Sequence, residues 1–128
     1  MRMIKRKMSI GESLMREYDI YLVEFTYEGG SGSKWRPALV LDTGIIRLSK
    51  ITSNLDRTET PHCLLRDWKA EGLYKPSLVR LTQTIDVESH SLGRYVGHLT
   101  DRDIESVEAC LRGDILEESD LKILNRFI

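Results

Sequence analysis

The sequence predicts a mainly β fold with appended helices, in the form of a small curled sheet or barrel. Short stretches rich in β-branched and aromatic residues alternate with turns that contain glycine, proline or serine through most of the chain. A helical pattern with a capping signal occurs only near the carboxyl end. Several short strands with tight turns, followed by a terminal helix, are typical of sheets that curl or close on themselves.

Two predicted strands flank the most distinctive stretch of the sequence. Residues 18–27 contain no glycine or proline and are rich in aromatic and β-branched side chains, which favours a first strand. A glycine- and serine-rich loop over residues 29–33 leads to a second strand over residues 36–41, whose continuous apolar run predicts burial on both faces. Because Pro37 has a fixed φ and favours an extended residue before it, Arg36 is predicted at the start of this strand, beneath a mobile loop.

The elements that follow are shorter and are separated by turns. Asp42-Thr43-Gly44 is a three-residue hairpin signal with glycine where a left-handed backbone is favoured. After Pro76, the alternation of residues predicts a strand with Val79, Leu81 and Ile85 on one face. We predict strands over residues 45–51, 62–65, 77–86 and 92–99, the last at a sheet edge, and one helical turn over residues 66–72 that carries Trp68.

Helices are predicted only near the chain end. Thr100 has the character of an N-cap because acidic residues follow it in the first turn, and Gly113 is a stop signal. A final helix is expected over residues 118–126. The buried stripe of the first helix is predicted to consist of Ile104, Val107 and Leu111.

Length, composition and charge limit the classes of protein. The 128 residues suffice for one domain with its own core, expected over residues 18–128 after an N-terminal extension over residues 1–17. A net charge of -1 argues against a wholly basic surface but allows a local basic patch. Cys63 and Cys110 form no CxxC motif, so neither a metal cage nor a disulfide framework is expected. No apolar run suits a membrane span or a signal peptide, so we expect a cytoplasmic protein.

Four blocks occur in an order that is typical of one known family. The first is the strand that begins Tyr18-Asp19-Ile20, and the second is the loop at residues 30–34 with Arg36-Pro37-Ala38 after it. The third is Lys50-Ile51-Thr52-Ser53, and the fourth is Lys75-Pro76-Ser77-Leu78-Val79-Arg80. Together with Gly97-His98-Leu99-Thr100 before the helix, these blocks resemble the PemK/MazF toxins of bacterial toxin–antitoxin systems, in particular the PemK-like branch. The resemblance spans residues 18–112, with one departure at Tyr18, where the family favours glycine.

The resemblance implies a fold, an activity and partners. The implied fold is the small SH3-like curled barrel of the PemK/MazF/CcdB type with appended helices, usually as a homodimer. The implied activity is that of a toxin that inhibits growth as an endoribonuclease, cleaving single-stranded RNA, including messenger RNA, without a metal or a cofactor. The implied protein partner is a cognate antitoxin, which neutralises the toxin.

The chemistry of metal-free RNA cleavage suggests roles for the matched residues. Such cleavage needs groups that hold the phosphate and stabilise the charge that develops on it, and guanidinium groups match phosphate in a bidentate fork. By resemblance the catalytic candidates are Arg36 and Arg80, for the phosphoryl oxygens, and Thr52, for a hydrogen bond to the phosphate or the 2′-hydroxyl. Contacts to the bound RNA are expected from Ser33, Lys34, Trp35 and Ser53.

The general base is the open point of this assignment. Some members of the family place an acid two residues after the arginine matched by Arg80, where this sequence has Thr82. One alternative is therefore a non-catalytic module on the same fold that binds RNA or an antitoxin, and another is a toxin that poisons a protein such as DNA gyrase. The histidines, which lie outside the matched catalytic blocks and are expected to be structural or exposed, are His62, His90 and His98.

Overall fold

The strands and the helix follow each other in the predicted order. The structure, a computed structural model, describes residues 15–26, 28–56 and 61–113. The elements found there are β1 (Asp19–Thr26), β2 (Ser33–Asp42), β3 (Ile46–Thr52), β4 (His62–Leu65), β5 (Ser77–Val87), β6 (Leu92–His98) and α1 (Asp101–Leu111), with 3-10 turns at Glu28–Gly30 and Ser89–Ser91. The mainly β class is thereby confirmed. The helix predicted over residues 118–126 lies outside the described residues, as do residues 1–14 of the predicted extension.

The six strands form one antiparallel sheet with an apolar cluster on each face. Their order is β4-β5-β3-β2-β1-β6, which confirms that β6 is an edge strand. Neighbouring residues of β2 point to opposite faces, so Leu39 and Val40 belong to different clusters and β2 is buried on both sides, as predicted. The cluster beneath α1 contains Ile20, Leu39, Ile51, Cys63, Leu65, Leu73, Val79, Leu81, Leu99 and Val107. The cluster on the other face contains Met15, Tyr21, Val23, Ala38, Val40, Ile46 and Leu48.

The segment after β4 crosses to the opposite edge of the sheet. The backbone N–H of Glu71 donates to the carbonyl of Asp67 at 3.0 Å, which confirms one helical turn, and Gly72 ends it with a φ of 90°. A side-chain Cβ at Gly72 would lie 2.3 Å from the carbonyl oxygen of Val96, and one at Gly97 would lie 2.1 Å from that of Glu71. Because no side chain fits between these backbones, they run in direct contact. The sheet is therefore curled, in agreement with the predicted barrel-like fold.

Strand β2 begins earlier than the sequence indicates. It pairs with β1 residue for residue, from Leu39 opposite Ile20 to Ser33 opposite Thr26. Arg36 consequently lies inside the strand, opposite Val23, and not at its start. Continuous pairing with β1 extends this strand through the polar residues that composition alone assigns to a loop.

The prediction that Ile85 shares a face with Val79 and Leu81 is wrong. Against β3, Ile85 pairs with Leu48 and Thr84 with Ser49, but the next pair joins Arg80 to Lys50. Residues 81–83 of β5 therefore have no partner in β3, and this bulge reverses the alternation. Val79 and Leu81 lie in the cluster beneath α1, whereas Ile85 packs against the other cluster.

The helix α1 begins and ends as predicted, but its buried stripe differs at one position. The Thr100 hydroxyl accepts the backbone N–H of Asp103, and Gly113 follows the helix with a φ of 76°. Val107 is fully buried, whereas Leu111 is 50% exposed, so its predicted burial is wrong. In the last turn Cys110 packs against the core in its place.

The hairpin between β2 and β3 has a loop of three residues, as predicted, but the loop comprises residues 43–45 and not 42–44, and its backbone differs. The N–H of Gly44 donates to the carboxylate of Asp42 at 2.8 Å, which closes the turn. Gly44 is not among the described residues with a positive φ, so the predicted left-handed glycine is wrong here.

Three carboxylates meet where the turn after β4 packs on the beginning of α1. Asp103 accepts the backbone N–H groups of Arg66 at 3.0 Å and Asp67 at 2.9 Å, and Glu71 accepts that of Thr100 at 2.9 Å. Burial raises the pKa of Glu71 to about 8, and the neighbouring Asp103 adds to the effect, while the bond from Thr100 opposes it. Glu71 is therefore mostly protonated at neutral pH, which limits repulsion inside the cluster.

The change Glu71→Gln is expected to remove part of the pH dependence of stability. The folded protein keeps the Glu71 proton up to about pH 8, whereas the unfolded chain releases it near the ordinary pKa of 4.5. Because the folded state binds more protons between these values, the free energy of unfolding falls as pH rises, by up to about 1.4 kcal/mol per pH unit from this group. Urea unfolding at several pH values measures the slope, which should be shallower in the variant. Equal slopes would mean that folding does not raise the pKa of Glu71.

Candidate functional site

A cavity opens where β2 and β3 separate. The ladder between them ends with Ala38 opposite Lys50, although β2 continues along β1 and β3 continues along β5. The carbonyl of Val40 points to the β1 side, where it accepts the N–H of Tyr18 at 2.8 Å. Backbone groups alternate along a strand, so Pro37 faces β3, where it has no N–H to donate. The resulting fork holds a cavity of about 700 Å³.

The described lining of this cavity is positively charged. Six of its side chains are cationic and none is acidic. A concave surface with one sign of charge concentrates the opposite charge, so this cavity favours a polyanion although the whole chain has a net charge of -1. The cations come from β2, β3, β5, β6 and the segment before β5, and are Lys34, Arg36, Lys50, Lys75, Arg80 and Arg94.

Strand registers place four of the lining side chains on the same face of the sheet. Lys50 lies opposite Ala38 on one side and opposite Arg80 on the other. Arg36 precedes Ala38 by two residues and Thr52 follows Lys50 by two, so alternation directs all of them to one face. This is also the face of the apolar cluster around Ala38. The face therefore changes from apolar to basic along the strands.

Local contacts hold Thr52 and Lys50 in place. The Thr52 hydroxyl oxygen accepts the backbone N–H of Asn54 at 3.0 Å, and the Asn54 side chain accepts that of Asp56 at 3.1 Å. A hydroxyl that accepts in this way keeps its own hydrogen for donation to a ligand. The ammonium of Lys50 lies 4.8 Å from the centre of the Phe25 ring, a cation–π contact at the cavity wall.

Arg80 lies beside the bulge of β5. It is half-buried, and its carbonyl accepts the hydroxyl of Ser49 at 2.9 Å. Ser49 is fully buried, so this bond fixes the backbone at the point where β5 leaves regular pairing with β3. The bulge thereby sets the position from which the Arg80 side chain reaches the cavity.

Most of the predicted site residues meet at this cavity, and two do not. Trp35 points to the other face of β2, where its ring covers Gly93: a Cβ there would lie 2.6 Å from the ring. Ser33 donates its hydroxyl to the carboxylate of Glu24 at 2.5 Å. Neither lines the cavity. The predicted residues that line it are Lys34, Arg36, Thr52, Ser53 and Arg80.

Several lining residues were not selected from the sequence. Lys50 could have been selected from the sequence, because it precedes Thr52 by two residues on a predicted strand and therefore shares its face. Lys75 opens one of the matched blocks, but nothing in the sequence indicated its direction. Arg94 and Tyr74 come from β6 and from the segment before β5, and only the curl of the sheet brings them to the fork.

The described lining offers no carboxylate and no imidazole as a general base. Thr82 is exposed in the bulge of β5 and does not line the cavity. The three histidines also lie elsewhere: His62 is opposite Arg80 on β4, His90 contacts Glu88, and His98 contacts the buried Asp19 at 2.7 Å. These placements agree with their expected structural or exposed roles.

One group of described residues outside the cavity has the composition of a cation site. Carboxylate oxygens of Asp67, Glu71 and Asp103 lie within 4.8 Å of one another. Asp67 is held by Arg102 and Thr100, Asp103 by two backbone N–H groups, and the raised pKa of Glu71 leaves it mostly protonated. We therefore interpret this cluster as structural.

A comparison with protein families finds a match. The model of a family described as PemK-like, MazF-like toxin of type II toxin–antitoxin systems matches residues 16–113. This range contains all six strands, α1 and the whole described lining of the cavity. A search of curated proteins finds no match to the chain. In the described part of the chain, no helix is long and apolar enough to cross a membrane.

The change Lys50→Gln is expected to reduce the salt dependence of polyanion binding. Each phosphate contact on a single strand contributes about 0.7 to the slope of log affinity against log salt, so the slope should decrease by about that amount. A labelled deoxyoligonucleotide, which lacks the 2′-hydroxyl, can be titrated by fluorescence anisotropy at several salt concentrations. Lys69→Gln is the control, because it removes the same charge from an exposed position outside the lining. Equal reductions in the two variants would place binding elsewhere.

Proposed function

Because the chain belongs to the PemK-like, MazF-like toxins of type II toxin–antitoxin systems, we propose that it is a metal-independent endoribonuclease for single-stranded RNA. The observation that carries this proposal is the basic cavity in the fork of β2 and β3. Arg36, Thr52 and Arg80 lie on one face there, among further cations and without an acidic neighbour in the described lining. Such a surface suits the phosphates of an extended RNA strand.

In the proposed reaction the 2′-hydroxyl of the RNA attacks the adjacent phosphorus. A bond forms between O2′ and phosphorus, the bond between phosphorus and O5′ breaks, and the products are a 2′,3′-cyclic phosphate and a 5′-hydroxyl. The 2′-hydroxyl loses a proton and O5′ gains one. Arg36 and Arg80 would stabilise the charge on the non-bridging oxygens, and Thr52 would donate its free hydrogen to the phosphate. The site thus acts mainly through charge and positioning.

The same cavity suits the protein partner that the family implies. Membership in a type II toxin family implies an antitoxin. We propose that an acidic segment of the antitoxin occupies the fork and covers Arg36 and Arg80, because its carboxylates would complement the basic lining. Ser33 and Trp35 could contact only RNA that extends past the cavity along β2. Homodimerisation and a cytoplasmic location stay predictions.

A second candidate function is a non-catalytic module that binds RNA or the antitoxin. The observation in its favour is the described lining, which contains neither a carboxylate nor an imidazole. Thr82, at the position where some members have an acid, is exposed outside the cavity. Such a module would bind RNA with the salt dependence of a basic surface but would leave it intact.

The change Arg36→Ala is expected to lower the rate of RNA cleavage by about 10²–10³-fold, the usual effect of removing one donor that stabilises transition-state charge. The assay uses a labelled single-stranded RNA in EDTA and detects 2′,3′-cyclic phosphate ends. Arg47→Ala is the matched control, because Arg47 pairs with Asp86 on the surface and does not line the cavity.

Two outcomes of this assay would contradict the proposal. Cleavage by Arg36→Ala at the wild-type rate would mean that the assigned site is wrong, and loss of wild-type activity in EDTA would mean that a metal takes part. Binding of RNA by the wild-type protein without any cleavage would favour the non-catalytic module.

The pair Thr52→Val and Thr52→Ser tests the hydroxyl. Valine keeps the shape but cannot donate, so single-turnover cleavage should slow by about 10–100-fold, which corresponds to the loss of one hydrogen bond to a charged group. Serine keeps the donor and should retain most of the rate. Similar rates for valine and wild type would remove Thr52 from the mechanism.

A further inference from the structure

We propose that Tyr74 is a stacking platform for one unpaired base of the RNA, and that it makes the site selective for single strands. The inference rests on the proposed function, since it names how the same cavity recognises its substrate. Tyr74 is 86% exposed and lines the cavity. Aromatic side chains that bind single-stranded nucleic acids present an open ring face beside a basic track.

The segment that carries Tyr74 is anchored on both sides. Before it, Leu73 is buried in the core, and its N–H donates to the carbonyl of Trp68 at 3.0 Å. After it, the hydroxyl of Ser77 donates to the carbonyl of Lys75 at 2.8 Å, and Pro76 restricts the backbone between them. Because both flanks are held, the backbone presents Tyr74 to solvent from a defined position. A side chain carried on a fixed backbone loses less entropy when a base stacks on it than one on a mobile loop.

Burial does not explain the position of Tyr74. A large aromatic side chain gains stability from contact with the core, yet this one leaves nearly its whole surface in water. Tyr95, which is 48% exposed, packs edge-on against Tyr21 with ring centres 5.6 Å apart, and it does not line the cavity. The open ring of Tyr74 is thus available to a ligand in the fork.

The neighbours of Tyr74 supply the charge that a nucleotide requires. Lys75 follows it directly, and Arg94 on β6 lines the same cavity. Phosphate contacts to these cations would hold the strand, while the ring takes the face of a base. Bases of a duplex are already stacked on one another inside the helix, so only an unpaired base can use this ring. The contacts of Tyr74 and Lys75 would therefore distinguish a single strand from a duplex without recognising a particular base sequence.

Binding must be measured separately from cleavage to test this inference. The probe is a short labelled RNA with 2′-O-methyl groups throughout, which removes the nucleophile, and fluorescence anisotropy gives its Kd. Tyr74→Ala should weaken binding by about 5- to 150-fold, the range observed for single stacked bases. Tyr74→Phe keeps the ring and should stay within about twofold of wild type. Tyr95→Ala, which truncates a tyrosine outside the cavity, should also bind as wild type.

An abasic scan identifies the stacked base. One nucleotide of the probe at a time is replaced by an abasic residue. At one position this replacement should weaken binding to the wild-type protein but not to Tyr74→Ala, because the ring and the base contribute only together. A duplex of the same sequence should bind both proteins equally. Lys75→Gln should reduce the salt slope by about 0.7 while the abasic effect persists.

The outcomes separate this inference from the proposed nuclease activity. The stacking role is overturned if Tyr74→Ala binds the probe as tightly as wild type, or if no position of the abasic scan couples to Tyr74. This conclusion holds even when RNA is cleaved. Binding that depends on Tyr74 supports the stacking role even when unmodified RNA stays intact, a result that would contradict the nuclease. A wild-type protein that binds no RNA overturns both.

Discussion

The candidate site exists because Pro37 has no backbone N–H to donate to the neighbouring strand. Because the carbonyl of Val40 faces β1, alternation directs the backbone of Leu39 to Ser49 of β3, and the next residue directed to β3 is Pro37, opposite Ile51. Proline cannot donate, and the two strands part at that point while each keeps its other neighbour. Ordinary sheet pairing would have filled this space with backbone. Instead a fork forms inside the sheet, and most of its basic side chains project from strands with defined directions.

Charge is distributed unevenly over this frame. The chain as a whole is nearly neutral, yet six cations line the fork and no acid accompanies them among its described residues. A concave surface with one sign of charge concentrates ligands of the opposite sign, so this distribution favours an anionic ligand. The arrangement fits a substrate rich in phosphate and an acidic inhibitor equally well. Under the proposed function, RNA and an acidic segment of the antitoxin would therefore compete for this surface.

One edge of the cavity is positioned by the same contacts that close the sheet. Contact of Gly72 and Gly97 with the backbones opposite them brings the segment after β4 onto β6, and Glu71 seats this segment on the N-terminal end of α1 through Thr100. The residues that follow, Leu73 to Lys75, then reach the mouth of the fork. A buried carboxyl that keeps its proton at neutral pH is part of this closure, because an ionised Glu71 would repel Asp103 and Asp67. The same contacts therefore stabilise the curl of the sheet and determine the shape of the cavity edge.

Local rules predicted the succession of strands along the chain, the N-cap at Thr100 and the burial of β2 on both faces, because alternation, capping and proline effects act over a few residues. The family was indicated separately, by the resemblance of ordered blocks that include Arg36 and Thr52. Pairing between distant strands decided the rest. Continuous pairing with β1 placed Arg36 inside β2. The bulge of β5 lies next to Arg80 and directs Ile85 to the opposite face from Val79 and Leu81. The curl of the sheet brought Tyr74 and Arg94 to the fork, and the same sheet geometry left Trp35 over Gly93, away from it. These placements follow from contacts between residues far apart in sequence, which no local pattern encodes.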